Sequence, residues 1–237
     1  MLQACLNGGR AKSEHPAVPC APEELARDAH ASSILGAAEF HIHPRGVDGL
    51  ESLDPDDVAA ALRAMRESAP GAPIGLSTGT WIKPGGRARR ETIRNWTVLP
   101  DYVSVNLVED DAPEIISLVM AKGVGVEVGL WSVEDARRFA ALPLASQCLR
   151  ALIEINEQDV DEGLRVAHAI IAFLDGAQLA LPRLLHGLDA TKWPLYRESL
   201  RLGLDARIGF EDGLRLPSGE IAASNATLIA AARTLAG

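Results

Sequence analysis

The stretch Gly36-Ala37-Ala38-Glu39-Phe40-His41-Ile42-His43-Pro44-Arg45 carries the pattern on which the interpretation of the chain depends. Its first residues are typical of a helix end that leads into a strand. Residues two apart on a strand point to the same face, so His41 and His43 project side by side. Two imidazoles placed in this way suit a divalent metal such as zinc. Two polar histidines at a strand end, one hydrogen-bonded and one solvated, are the alternative that the motif alone leaves open.

Strand-like apolar runs alternate with helix-like runs on both sides of this stretch, along the whole chain. The predicted strands cover residues 2–6, 38–43, 73–77, 102–107, 124–130, 148–155, 178–181 and 205–210. The predicted helices cover residues 22–36, 54–67, 91–97, 113–122, 132–142, 159–174, 191–202 and 222–235. Asp54-Pro55-Asp56 marks one helix start clearly, with an Asp cap and a proline at the first helical position.

Eight consecutive strand–helix units in 237 residues predict an α/β fold, a single (β/α)8 TIM barrel over residues 1–237. An open doubly wound sheet is the alternative. That fold usually has a glycine-rich phosphate loop after its first strand. Asn7-Gly8-Gly9-Arg10 does not match such a loop, which favours the barrel.

Composition narrows the classes of partner. The chain is 47% hydrophobic and 23% charged, with a net charge of −9. This charge argues against nucleic acid or an anionic membrane surface as the main partner. No apolar run reaches the ~18 residues of a membrane span. The three cysteines have irregular spacing and give no disulfide framework, so we expect a reduced, cytoplasmic protein.

In a barrel the chemistry lies at the carboxyl ends of the strands. Strands eight, one and two are near neighbours around the barrel, so Glu211 can approach His41 and His43. Two histidines and one glutamate with a position left open form a catalytic zinc arrangement, which polarises a carbonyl and stabilises an enolate. Asp212 and Arg207 are close enough to supply a base and an anion clamp.

These residues carry a family resemblance over nearly the whole chain. It resembles the beta-keto acid cleavage enzymes, the family of the 3-keto-5-aminohexanoate cleavage enzyme. The matching segments, in order, are Asn7-Gly8, Glu14-His15-Pro16-Ala17-Val18-Pro19, Pro22-Glu23-Glu24-Leu25, Gly36-Ala37-Ala38, His41-Ile42-His43-Pro44-Arg45, Asp48-Gly49, Ser77-Thr78-Gly79, Ser104-Val105-Asn106, Val126-Glu127-Val128, Arg207-Ile208-Gly209-Phe210-Glu211-Asp212 and Asn225.

The resemblance implies a zinc-bearing barrel that exchanges a beta-keto acid with acetyl-CoA, giving acetoacetate and a new CoA thioester. Carried over by position, the metal ligands are His41, His43 and Glu211. The residues implied for catalysis are Ser77, Glu127, Arg207 and Asp212. We assign substrate binding to Arg10, Arg45, Thr78 and Asn106.

Arg10 stands where family members with an amino-bearing substrate carry an acid. An arginine there repels an ammonium group and favours a carboxylate. We therefore expect a substrate with an anionic or neutral tail. The resemblance also implies a homo-oligomer, commonly a tetramer.

The chain is some tens of residues shorter than is usual for the family, in loops that help to receive CoA. Two other readings therefore stay open: a CoA-independent metal-dependent aldolase or hydrolase acting on a small carboxylate, and a non-catalytic metabolite-binding barrel. His186, placed after the seventh predicted strand, either meets a CoA phosphate or substrate or caps a turn. We favour the turn.

Overall fold

Eight parallel strands close into a barrel in chain order, with the last strand paired to the first. In this computed structural model, which describes residues 1–237, the strands are β1 Leu2–Cys5, β2 Glu39–Ile42, β3 Ile74–Ser77, β4 Tyr102–Asn106, β5 Gly125–Leu130, β6 Arg150–Ile155, β7 Arg183–Gly187 and β8 Asp205–Ile208. The helices are α1 Pro22–Ile34, α2 Pro55–Ser68, α3 Ala88–Arg94, α4 Ala112–Ala121, α5 Val133–Ala140, α6 Val160–Gly176, α7 Lys192–Leu202 and α8 Asn225–Ala236. The predicted (β/α)8 architecture is confirmed.

The seventh strand is the only element whose predicted range does not overlap the observed one. It covers Arg183–Gly187 and not residues 178–181. Gln178 has a φ of 54°, in the left-handed region that a strand does not use. Pro182 lacks an N–H group, and a central strand needs that donor, so the strand begins after it. The shift places His186 inside a strand instead of in a loop.

Two helices start elsewhere than predicted. The third spans Ala88–Arg94 instead of residues 91–97, and the eighth starts at Asn225, three residues later than expected. Ser224 caps the eighth helix, because its side chain accepts a hydrogen bond from the Thr227 N–H. Asp54 caps α2 in the same way, as its sequence predicts.

The apolar core lies between the barrel and its ring of helices. Alternate strand residues such as Phe40, Ile42, Val126 and Val128 face outward against the helices and are fully buried. The other set of strand residues therefore points into the barrel. These inward side chains position the site.

The inside of the barrel is polar below the site. Arg150 on β6 donates to Glu127 on β5 at 3.0 Å and also contacts Glu39 on β2. Gln3 on β1 donates to Glu39 at 2.8 Å and to Glu127 at 3.2 Å. All four side chains are buried, so this network joins opposite sides of the barrel and pairs one guanidinium with two carboxylates.

None of the helices is long and apolar enough to cross a membrane.

Candidate active site

His41, His43 and Glu211 converge at the carboxyl ends of β2 and β8. The Nε2 atoms of the two histidines are 3.3 Å apart. Glu211 Oε1 lies 3.4 Å from His43 Nε2, and Glu211 Oε2 lies 3.9 Å from His41 Nε2. Ligands at about 2.1 Å from a tetrahedral ion are about 3.4 Å apart, so the spacing fits one metal ion. Glu211 Oε2 is buried and has no hydrogen-bond partner, which also fits a metal ligand.

A carboxylate stands behind each imidazole. Glu127 Oε1 lies 3.4 Å from His41 Nδ1, and Glu51 Oε1 lies 2.5 Å from His43 Nδ1. A carboxylate at Nδ1 holds the proton there and leaves Nε2 free as a ligand. Both Nε2 atoms face Glu211, so each histidine presents the nitrogen that a metal needs. Glu127 thus orients His41 from behind and does not face the open space of the site.

The loop after β1 fixes the backbone around these ligands. The Asn7 side chain donates to the His43 carbonyl at 2.8 Å and accepts from the His43 N–H at 2.9 Å. Gly8 has a φ of +55°, and a Cβ there would lie 2.3 Å from Glu211 Cγ. Only glycine lets this loop pass so close to Glu211.

Asp212 and Arg207 form a buried pair beside the three ligands. Arg207 Nε donates to Asp212 Oδ1 at 3.1 Å, and Arg207 Nη2 lies 2.5 Å from Glu211 Oε1. Cys5, at the end of β1, donates from Sγ to Asp212 Oδ2 at 2.8 Å. Asp212 is therefore held at both oxygens, next to the metal-type ligand that precedes it in the chain.

His186 belongs to this cluster, so our preference for a turn-capping role was wrong. It lies on β7, opposite Glu154 on β6, and is almost fully buried. Its Nδ1 is 3.3 Å from Asp212 Oδ1, and its Nε2 is 3.5 Å from Glu154 Oε2.

Buried charges set the protonation of these groups. Burial raises the pKa of Glu127, but the hydrogen bond from His41 and the charge of Arg150 outweigh it and bring that pKa to about 2. Burial also raises the pKa of Asp212, yet Arg207 and His186 hold it below its usual value. For His186, burial and Arg207 lower the pKa, but Asp212 and Glu154 leave it raised. Asp212 is therefore a carboxylate at neutral pH, able to accept a proton.

A family model described as beta-keto acid cleavage enzyme matches residues 1–237. The chain belongs to the beta-keto acid cleavage enzyme family. The family resemblance read from the sequence is confirmed.

Curated relatives support the same reaction class. A 3-oxoadipate:acetyl-CoA acetyltransferase of Cupriavidus necator is 28% identical over 92% of this chain and 81% of its own length. A 3-keto-5-aminohexanoate cleavage enzyme of Fusobacterium nucleatum is 21% identical over 97% and 88% of the two chains. Both relatives are named for acting on a beta-keto acid.

Solved structures share the fold. The binary complex of ObcA with oxaloacetate has a TM-score of 0.72 and 16% identity, covering 92% of this chain and 63% of that one. The ternary complex of ObcA with a C4-CoA adduct and oxalate gives the same values. This chain thus spans less than two thirds of ObcA, and the likeness concerns the barrel alone.

Three of the four residues that we assigned to substrate binding, Arg10, Arg45 and Thr78, already have partners within the protein. Arg10 Nε donates to the Phe210 carbonyl at 2.6 Å, and its Nη atoms reach Glu14 at 3.1 Å and Asp189 at 2.7 Å. Arg45 donates to the backbone carbonyls of Gly8 and Arg10. Arg45 thus shapes the loop that carries Arg10, and Arg10 lies at the rim of the site.

Ser77, Thr78 and Asn106 lie on the side of the barrel formed by β3 and β4. All three are buried at the carboxyl ends of these strands. The Thr78 hydroxyl donates to the Ser104 carbonyl at 2.7 Å, and Ser77 Oγ accepts a long bond of 3.4 Å from the Gly79 N–H. Ser77 has the weaker bond and is the freer of the two hydroxyls. Ser77, Thr78 and Asn106 therefore lie at the same end of the barrel as His41, His43 and Glu211.

Sequence reasoning missed two contributors to the site. Cys5 precedes Asn7 on β1, and its inward direction follows from alternation with Ala4 once the strand register is known. Glu51 lies in an irregular loop, and no periodic pattern predicts its contact with His43. The alternation of residues along β1 could have predicted the role of Cys5, whereas no sequence pattern predicts that of Glu51.

Proposed function

We propose that the protein is a zinc-dependent acyltransferase that condenses a beta-keto acid with acetyl-CoA, giving acetoacetate and a new acyl-CoA. One observation carries the proposal: one donor atom from each of His41, His43 and Glu211 lies within 4.8 Å of the other two, directly beside the Arg207–Asp212 pair. A site for a Lewis acid and a buried carboxylate base together suit the removal of a proton next to a carbonyl.

His41, His43 and Glu211 would hold the zinc ion, which would supply Lewis acidity toward the carbonyl oxygens of the substrate when bound. Glu127 and Glu51 keep both Nε2 atoms available for this purpose. Arg207 carries the positive charge that accepts the substrate carboxylate and keeps Asp212 ionised.

Asp212 takes the proton from the carbon between the ketone and the carboxylate, and the C–H electron pair stays on the substrate as an enolate. The enolate carbon forms a bond to the thioester carbonyl of acetyl-CoA, and the C–S bond breaks to release CoA thiolate. The thiolate then adds to the original ketone, and the adjacent C–C bond breaks. Asp212 returns its proton to the carbanion of acetoacetate, so atoms and charge balance.

Arg10 supports a substrate whose tail carries a carboxylate. The guanidinium is only 18% exposed, lies at the rim and is paired with Asp189, whose side chain is 60% exposed. A substrate carboxylate can replace that exposed partner with a similar charge-assisted bond. The relative named for 3-oxoadipate, a dicarboxylate, agrees with this class, so 3-oxoadipate is the first probe.

The test combines metal content with the formation of acetoacetate and a new acyl-CoA from acetyl-CoA and 3-oxoadipate. We expect about one zinc per chain and steady formation of both products, with zinc and turnover lost in a His41→Ala/His43→Ala variant. His168→Ala is the matched control, because this exposed histidine pairs with Glu198 on the outer helices. Wild-type protein that binds no zinc after reconstitution would contradict the proposal.

The alternative functions are separate outcomes of the same assay. Turnover of a beta-keto acid without consumption of acetyl-CoA would indicate a CoA-independent aldolase or hydrolase. Ligand binding with no turnover, unchanged in Asp212→Asn, would indicate a non-catalytic metabolite-binding barrel.

A further inference from the structure

His186 is a buried histidine whose two ring nitrogens both face carboxylates. Nδ1 lies 3.3 Å from Asp212 Oδ1 and Nε2 lies 3.5 Å from Glu154 Oε2. Neither nitrogen makes a hydrogen bond of good geometry to any group, including these two carboxylates. A histidine retained only for packing would normally have its nitrogens satisfied by the backbone. Contacts of this length between catalytic groups tighten when a ligand binds.

The three side chains form a line from the buried base to the edge of the barrel. Asp212 is fully buried, His186 is 1% exposed and the Glu154 side chain is 16% exposed. The strand register holds Glu154 opposite His186, so the line is built into the sheet and not into a loop. The other titratable groups in contact with Asp212, Cys5 and Arg207, are themselves buried.

We propose that His186 and Glu154 form a proton relay that connects Asp212 with solvent. The proposal rests on the proposed role of Asp212 as the base. When Asp212 holds the substrate proton, Oδ1–H donates it to His186 Nδ1. The proton on Nε2 passes to Glu154 Oε2, which exchanges it with water. The reverse passage restores the first state, so no net charge is gained or lost.

The relay predicts that the proton removed from the substrate exchanges with solvent. The probe is the zinc-loaded protein with 3-oxoadipate in D2O without acetyl-CoA, followed by NMR of the protons on the carbon between the carbonyls. We expect the wild type to accelerate exchange above the buffer rate and Asp212→Asn to abolish it. His186→Gln and Glu154→Gln should slow it at least about 10-fold, with unchanged affinity for 3-oxoadipate. Free imidazole should restore exchange to His186→Ala.

A structural role for His186 gives a different pattern. Loss of exchange together with loss of affinity, without rescue by imidazole, would overturn the relay. Exchange in His186→Gln at the wild-type rate, or wild-type exchange at the buffer rate, would also overturn it. His168→Ala is the control, since its histidine–glutamate pair lies outside the barrel and should leave exchange unchanged.

A second measurement needs no turnover. In protein labelled with 15N-histidine, the ring signals of His186 are assigned by their loss in His186→Gln. We expect its Nδ1 signal to shift in Asp212→Asn and its Nε2 signal to shift in Glu154→Gln, because each nitrogen faces one of these carboxylates. No shift in either variant would overturn the relay. Failure to form the new acyl-CoA alone would contradict the acyltransferase proposal and leave these two readouts to decide on the relay.

Discussion

In the proposed function, Arg10 sets substrate preference without touching the reacting atoms. An incoming tail must offer at least what Asp189 offers, and only an anion does so. We predict that Arg10→Gln lowers kcat/KM for 3-oxoadipate by about 10- to 100-fold, the effect of losing one charge-assisted bond. A beta-keto acid of equal length with an uncharged tail should lose far less.

The measurement is the ratio of kcat/KM for the two substrates. Lys12→Gln, on the same loop, provides the control, because Lys12 is half-exposed and pairs with Glu24. An unchanged ratio in Arg10→Gln would show that this arginine does not select the tail.

The loop after β1 packs directly against the Glu211 side chain, and Gly8 is its point of closest approach. We predict that Gly8→Ala weakens zinc binding at least about 10-fold, because the new methyl group must displace the Glu211 side chain and the φ of +55° is strained for alanine. Gly9→Ala is the matched control, since a Cβ there meets its nearest atom at 3.6 Å, an ordinary contact. Chelator competition measures both. Equal affinity in the two variants would contradict the tight packing around Glu211.

The contact between α1 and α8 gives a pH dependence of stability. Asn225, at the start of α8, donates to Asp28 on α1 at 2.6 Å and to the Leu6 carbonyl at 2.7 Å. Burial raises the pKa of Asp28 from 3.8 to about 6. The folded protein thus binds this proton more tightly than the unfolded chain, so its free energy of unfolding falls as pH rises from about 4 to about 6.

We predict that Asp28→Asn stabilises the protein at pH 7 by up to about 3 kcal/mol, because it removes a buried charge and keeps the hydrogen bond. The gain should vanish near pH 3, where Asp28 is protonated in both states. Urea unfolding at several pH values measures it. Asp110→Asn, in an exposed loop, is the control. A gain that is the same at pH 3 and pH 7 would exclude this titration as the cause.

Across the whole molecule, Arg150 balances two buried carboxylates that come from different sides of the barrel. We predict that Arg150→Met lowers the free energy of unfolding by about 3–5 kcal/mol, since Glu39 and Glu127 are left as unpaired charges. Adding Glu39→Gln should recover part of the loss. Arg165→Met, whose side chain is 70% exposed, is the control in the same urea titration. A loss no larger than that of the control would mean that the network does not support the barrel.

The architecture could be predicted because alternation and capping are local signals. Asp54 and Ser132 correctly predicted the starts of their helices, and the apolar runs correctly predicted seven of the eight strands. The prediction of the seventh strand was wrong because Leu179 and Leu181 give the apolar alternation of a strand. The left-handed backbone of Gln178 and the missing N–H of Pro182 exclude a strand there. The convergence of His41, His43 and Glu211 followed from strand order. The contacts of Glu51 and His186 depend on loop path and register, which hydrophobic periodicity does not encode.

The three metal-type ligands come from β2 and from the end of β8, and β1 lies between those strands. During translation, His41 and His43 emerge early, but Glu211 emerges only after all eight strands have been made. A nascent chain can therefore offer two of the three donors, and the full set exists only after the last strand has closed on the first. Metal capture would then occur late in biogenesis, and metal occupancy would report whether the ring of strands has been completed.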